Sequence, residues 1–142
     1  MPVFPSVAWF DAVREVFNRD ERYHGGGAGD CNAEIGLKIG TEAFQLSFEG
    51  PDCTRAENID EMKLAELDFY LEMEPEAWRS MLENIKVYGH ASLDHTLNTL
   101  DLDREDGLCR GEDQYRADLF FRYNQTFQNF FDASHQIETT FS

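Results

Sequence analysis

Residues 33–50 read AEIGLKIGTEAFQLSFEG, and this stretch decides the fold. Apolar residues alternate with polar or small ones on both sides of Gly40-Thr41. Alternation with a period of two is typical of a strand with one buried face, and two such runs around a turn predict an antiparallel hairpin with one wet face. The side chains predicted to face the core are Ile35, Leu37, Ile39, Phe44, Leu46 and Phe48.

The segments that follow the hairpin predict a third strand and more helices. A polar loop is expected first, and then residues 65–73 alternate again, with Ala65, Leu67, Phe69, Leu71 and Met73 pointing inward. Pro75 fits the first turn of a helix whose apolar face carries Trp78, Met81, Leu82 and Ile85. Residues 86–89 predict a short strand. Ser92 is the expected N-cap of a further helix that carries Leu93, Leu97 and Leu100.

Helical patterns also open and close the chain. Ser6 is a plausible N-cap for a first helix, whose apolar face has Val7, Phe10, Val13 and Phe17. Residues 114–137 predict one long helix with an aromatic stripe, formed by Tyr115, Leu119, Tyr123, Phe127 and Phe131 and widened by Phe120 and Phe130. This order of elements predicts an α+β fold, with helices covering one face of the sheet. We expect a single domain over 1–142, with a core at about 6–100, an acidic loop at 101–113 and the aromatic helix after it.

Composition and charge exclude several classes of function. The chain has 142 residues, of which 42% are hydrophobic, and a net charge of −16. That charge repels nucleic acid and anionic lipid surfaces, so neither is an expected partner. Three cysteines without CxxC spacing predict reduced thiols. The first residues lack the pattern of a signal peptide and no apolar run reaches membrane-spanning length, so we expect a cytoplasmic protein without stable membrane insertion.

The glycine run at residues 24–30, HGGGAGD, has three interpretations. A phosphate-binding loop needs a strand before it and a helix after it, whereas here the predicted order is reversed. An esterase oxyanion loop needs a G-x-S-x-G nucleophile elbow, which the sequence does not contain. The pattern therefore favours a flexible connection between helix and strand.

The acidic loop carries a partial calcium pattern. Asp101, Asp103, Glu105 and Glu112 fall at positions 1, 3, 5 and 12 of a calcium-binding loop, but Asp106 stands where the turn glycine belongs. A solvated loop is favoured, and calcium binding stays open. The four histidines are scattered and form no metal-binding or catalytic motif, so we expect neither a metal site nor catalytic residues.

Four pieces of the chain resemble the sterol carrier protein 2-like (SCP2-like) lipid-binding domains. They are AWFDAV at 8–13, the hairpin at 33–50, LDFYLEMEPEAWRSMLENI at 67–85 and IKVYGHASLDHTLNTL at 85–100. The resemblance implies a five-stranded mixed sheet, with helices on one side and an apolar tunnel between the two layers. It implies binding or transfer of a sterol, fatty acid or acyl-CoA without chemistry, so neither enzymatic activity nor a cofactor is expected.

By position, the resemblance assigns the tunnel wall to Phe10, Val13, Phe17, Phe44, Leu46, Phe48, Leu67, Phe69, Trp78, Met81 and Leu97. The aromatic helix, through Phe120, Tyr123 and Phe127, either replaces the tunnel roof or forms a homodimer surface. Lys38, Arg79 or Lys86 is the expected counterion for a charged ligand head group. Two alternatives stay open, namely an interaction subunit that docks through the aromatic helix and a small-molecule enzyme.

Overall fold

The computed structural model describes residues 2–21, 23, 31–102, 107–110 and 114–141, with only the backbone for 114–117. The glycine run at 24–30 lies outside the described residues. Three of the four calcium-pattern residues, Asp103, Glu105 and Glu112, also lie outside them.

The described residues form seven strands, five α-helices and two 3₁₀ helices. The strands are β1 Val3–Phe4, β2 Ala33–Ile39, β3 Glu42–Glu49, β4 Asp52–Ile59, β5 Phe69–Met73, β6 Cys109–Arg110 and β7 Thr140–Phe141. The α-helices are α1 Val7–Arg19, α2 Pro75–Tyr88, α3 Leu97–Leu102, α4 Gln114–Arg122 and α5 Asn124–Asp132. The 3₁₀ helices span Glu61–Glu66 and Ala133–Gln136.

The predicted mixed sheet of five strands is confirmed, with the order β4-β3-β2-β5-β6. The hairpin pairs β2 with β3 antiparallel, and β5 lies parallel to β2 on the other side. Ile35 stands opposite both Leu46 and Phe69, so the apolar sets of the three strands share one sheet face. A second, two-stranded parallel ladder joins β1 to β7 and ties the two ends of the described chain together.

Helices α1, α2 and α5 bury their apolar faces against this sheet face. The first helix begins where the sequence predicts, because the Ser6 hydroxyl accepts a hydrogen bond of 3.1 Å from the Trp9 amide. Large side chains such as Phe10, Trp78 and Phe127 have no exposed surface. The core therefore lies between one layer of helices and one face of the sheet.

The opposite sheet face is less exposed to solvent than the alternation predicts. Gln45 and Ser47 are buried in strand β3, where both side chains donate hydrogen bonds to the Glu34 carboxylate. The 3₁₀ helix Glu61–Glu66 also lies on this face, with Leu64 packed close to Gly36. Glycine is required there because a Cβ on residue 36 would overlap the Leu64 side chain at Cδ2.

The predicted third strand is four residues too long. The chain follows a 3₁₀ helix to Glu66, and pairing with β2 begins only at Phe69. Leu67 was expected to line the tunnel, but it packs with Ala43 and Leu64 in a separate cluster on the opposite face. The Leu67 amide closes the 3₁₀ helix by donating to Leu64 O, so this residue never enters the strand alternation.

Three further expectations about individual segments are wrong. The predicted polar loop contains β4, an edge strand that pairs through its backbone and therefore accepts exposed polar side chains. Residues 86–88 are the last turn of α2 rather than a strand, and Gly89 ends the helix at φ +85°. Helix α3 begins at Leu97 instead of after Ser92, because the Thr96 hydroxyl accepts from the Thr99 amide.

The long C-terminal helix predicted over 114–137 is divided. Helices α4 and α5 meet at Tyr123, whose backbone has φ −110° and ψ 18°, and a 3₁₀ helix follows α5. The break leaves the four-residue spacing of the aromatic stripe unchanged, so the sequence pattern carries no sign of it.

The Gly36→Ala substitution tests the close approach of the 3₁₀ helix. We expect the added methyl group to lower the free energy of unfolding by about 1–3 kcal/mol, because Leu64 Cδ2 and Tyr70 Cβ occupy its space. Urea unfolding measures the effect. In a Leu64→Ala background the same substitution should lower the free energy of unfolding clearly less. An equal loss in both backgrounds would contradict the close contact between residues 36 and 64.

Candidate functional site

The structure gathers the predicted tunnel residues into one cluster. Leu67 is the exception and Tyr123 lies half-buried at the edge, while the other twelve are buried between the sheet and the helices. Residues from α1, β3, β5, α2, α3, α4 and α5 all contribute. Positions that are far apart in the sequence therefore form a single apolar site.

The centre of this site is a layer of six rings, which we call the phenyl layer: Phe17, Phe48, Phe69, Phe120, Phe127 and Phe130. Ring centroids lie 5.4 Å apart for Phe48–Phe127 and 5.5 Å apart for Phe69–Phe127. Both pairs meet edge to face, the arrangement that aromatic rings prefer. Because the rings contact one another directly, a ligand that enters the layer must displace at least one of them.

Four rings of the aromatic stripe belong to the core, while the side chain of Tyr115 lies outside the described residues. Phe120, Phe127, Phe130 and Phe131 have no exposed surface, and Phe131 packs against the Trp78 ring at 5.6 Å. These four rings are therefore unavailable as a docking surface for a second copy. Phe121, the next residue after Phe120, keeps 52% of its surface exposed.

Helix α5 is attached to the chain at 91–97 by buried hydrogen bonds. The Gln128 side-chain oxygen accepts from the Leu97 amide at 2.7 Å, and Asp132 Oδ1 accepts from the Ala91 amide at 3.1 Å. Gln128 also donates to Asp132 Oδ1 at 3.0 Å. Burial raises the pKa of the Asp132 carboxyl, although these hydrogen bonds oppose the shift. Sequence reasoning missed this cluster, since Gln128 and Asp132 lie on the polar side of the stripe.

The three candidate counterions all lie away from the phenyl layer. Lys38 pairs with Glu61 at 2.6 Å on the opposite sheet face. Arg79 pairs with Glu83 at 3.5 Å, and its guanidinium lies 4.8 Å from the centre of the Phe141 ring. The Lys86 ammonium donates to His135 O and Ile137 O, both at 3.1 Å. Lys86 and Arg79 therefore hold the C-terminal segment against α2.

Sequence reasoning also missed a surface cluster in which one histidine contacts a serine and an aspartate. His95 lies between Ser80, 3.3 Å from Nε2, and Asp94, 2.9 Å from Nδ1. This is the order of contacts in a Ser–His–Asp relay. The Asp94 side chain, however, is 80% exposed, and its contacts with Ser92 and then His95 lower its pKa. Since water screens so exposed a carboxylate, we interpret the cluster as a tie between α2 and the turn at 92–95.

The cysteines are free thiols, of which Cys31 and Cys53 are buried. Burial raises the pKa of each of the three thiols to about 12, so all three stay protonated at neutral pH and are poor nucleophiles. In the calcium pattern, Asp101 Oδ1 accepts from the Leu108 amide at 2.7 Å and so closes the loop. Within the described residues, no group of three or more His, Cys, Asp and Glu could hold a metal ion.

Comparison with known proteins supports the fold. No family model matches the sequence, and no curated protein is similar to it. The structure is similar to the solution structure of a conserved hypothetical protein from Thermus thermophilus that is suggested to be a sterol carrier protein. The TM-score is 0.63 at 19% identity, over 94% of this chain and 89% of that one. The SCP2-like fold class, a five-stranded mixed sheet with helices on one side, is thereby confirmed. None of the helices in the described part of the chain could span a membrane.

The Asp132→Asn substitution tests the buried carboxylate of α5. A raised pKa in the folded state means that ionised Asp132 costs stability above its ordinary pKa of 3.8, and that this cost shrinks as the pH falls. Asparagine keeps an acceptor for Ala91 and Gln128 without the charge. We therefore expect Asp132→Asn to gain stability relative to the natural protein as the pH rises from 4.5 to 7, measured by urea unfolding. Glu49→Gln, at an exposed position, is the control, and a gain of equal slope in both variants would contradict the burial effect.

Proposed function

We propose that this protein binds an apolar small molecule of the sterol, fatty acid or acyl-CoA class between the sheet and helices α4 and α5, without chemistry on the ligand. The observation that carries the proposal is the clustering of the predicted lining residues, all but Leu67, on the helix-covered face of the sheet. The suggested sterol carrier role of the Thermus protein, which shares this fold, adds support. The free thiols favour a reducing compartment such as the cytoplasm.

The entrance that the contacts favour lies under α4. Phe120 is the fully buried side chain of this helix within its described part, and its ring meets Phe69 at 5.9 Å and Phe127 at 6.5 Å. Leu119 and Tyr123 are only half-buried beside it. Helix α5, in contrast, is held by the buried hydrogen bonds of Gln128 and Asp132. A movement of α4 about Tyr123 would therefore withdraw one ring and leave α5 in place.

The exchange of the Phe120 ring for a ligand is energetically reasonable. A phenylalanine buries about 150–250 Å², which at about 25 cal/mol per Å² corresponds to about 4–6 kcal/mol. A sterol or a long acyl chain buries more apolar surface than a single phenyl ring. The ligand can thus replace the contacts of Phe120 and still gain free energy from the surface that exceeds it.

The Phe120→Ala substitution tests this entrance with dehydroergosterol, a fluorescent sterol that accepts excitation energy from the buried Trp9 and Trp78. We expect the natural protein to bind the sterol and the variant to bind at least about tenfold more tightly, a difference of about 1.4 kcal/mol or more, because the ligand no longer has to displace the ring. Energy transfer from tryptophan measures both affinities. Cis-parinaric acid serves as the acyl-chain probe under the same conditions.

Phe121→Ala is the matched control, since Phe121 is the exposed neighbour on the same helix and its loss should leave the affinity unchanged. If the Phe120→Ala protein does not fold, Phe120→Leu replaces it in the test. Leucine keeps most of the volume in the core but removes the ring contact with Phe127. If neither dehydroergosterol nor cis-parinaric acid binds to the natural protein or to the Phe120 variants, the proposed function is overturned.

A further inference from the structure

Two cavities lie along helix α2, and no ring of the phenyl layer lines either of them. The larger has a volume of about 290 Å³ and lies between α2 and the C-terminal segment, with Leu82 and Val87 on one wall and Ser134 and Thr139 on the other. The smaller, of about 130 Å³, lies between the first turns of α2 and the N-terminal segment, and Pro5 and Ile39 contribute to its lining.

The α2 residues of the two cavities follow one another along a single stripe. Pro75, Glu76 and Arg79 line the smaller cavity, while Leu82, Glu83, Lys86 and Val87 line the larger. Steps of three and four residues keep these positions on one helix face. At 1.5 Å per residue the stripe from Pro75 to Val87 is about 18 Å long, so the two cavities form one interrupted groove.

The interruption is the side chain of Phe141, which lines both cavities. Its ring lies 4.8 Å below the Arg79 guanidinium and 6.1 Å from the Phe4 ring. The strand that carries it, β7, has only two residues, and the Phe141 side chain is half-exposed. Rotation of one side chain at the end of a two-residue strand would therefore connect the cavities, without any change in the helix-covered core.

The charges along the groove favour an uncharged ligand. Both cations that line it are engaged, Arg79 with Glu83 at 3.5 Å and Lys86 with Glu138 at 3.3 Å. Glu76 adds a further negative charge to the smaller cavity. A carboxylate or phosphate head group would have to break one of these ion pairs and would also meet the net charge of −16.

We propose that this groove is a second ligand site, which takes an unbranched hydrocarbon chain with an uncharged head group after the Phe141 ring moves out. The site deepens the proposed function and rests on it, since it assumes that the protein handles apolar molecules. It is distinct from the phenyl layer in both position and shape. Its length of about 18 Å suits an extended chain.

A titration with 1-dodecanol, monitored by methyl NMR spectra, tests the second site. We expect the methyl signals of Leu82 and Val87 to shift, whether or not those of Val13 and Leu46, which report on the core, shift as well. Phe141→Ala should bind dodecanol about tenfold more tightly, because the chain no longer competes with the ring. Dodecanoic acid, which has the same chain and a carboxylate, should bind more weakly than the alcohol.

Two matched substitutions test the groove without changing Phe141, so their effect on dodecanol binding does not depend on the stability of β7. Val87→Glu places a charge on the groove wall at a position that is 72% exposed, and it should weaken binding about tenfold. Leu93→Glu makes the same change at a position that is 89% exposed and outside the groove, and it should leave binding unchanged. Shifts confined to Val13 and Leu46 would overturn the second site and leave the proposed function standing, whereas the absence of any shift, together with no binding of dehydroergosterol, would overturn both.

Discussion

The structure depends on covering one apolar face of the sheet. The register between β2 and its two neighbours places the large residues of three strands on the same side, as Ile35 shows by standing opposite both Leu46 and Phe69. A face of this kind cannot stay in water, because every buried apolar side chain contributes a few kcal/mol to folding. Helices α1, α4 and α5 therefore supply phenyl rings that contact the rings of β3 and β5.

The two sheet faces use different means to exclude water. On the helix-covered face, large rings interlock edge to face. On the opposite face, a glycine at position 36 lets the 3₁₀ helix come close, while Glu34 satisfies the buried side chains of Gln45 and Ser47. Buried polar groups also fix helix α5 through Gln128 and Asp132. Hydrogen bonds thus determine the orientation of elements whose attachment to the core comes from apolar contact.

Both proposed ligand sites follow the same design, in which a phenyl ring of the protein occupies the space that a ligand would take. Phe120 occupies the phenyl layer under α4, and Phe141 occupies the groove along α2. A ring that fills the site protects apolar surface from water, and in both proposals a larger apolar ligand takes its place. The two sites differ, since the phenyl layer is enclosed in the core whereas the groove runs along one helix at the surface.

The sequence by itself determined the hairpin, the first two helices and many of the large core side chains, because alternation and helical spacing report directly which residues avoid water. It could not determine β4, whose polar residues look like a loop and whose strand form depends on pairing with β3. It also misplaced Leu67, since a local pattern cannot show where a chain leaves the strand. Only the tertiary structure decided which rings meet across the core, that Arg79 and Lys86 contact the C-terminal segment, and that Phe141 divides a groove. These contacts join residues that are far apart in the sequence, such as Arg79 and Phe141, which are 62 positions apart.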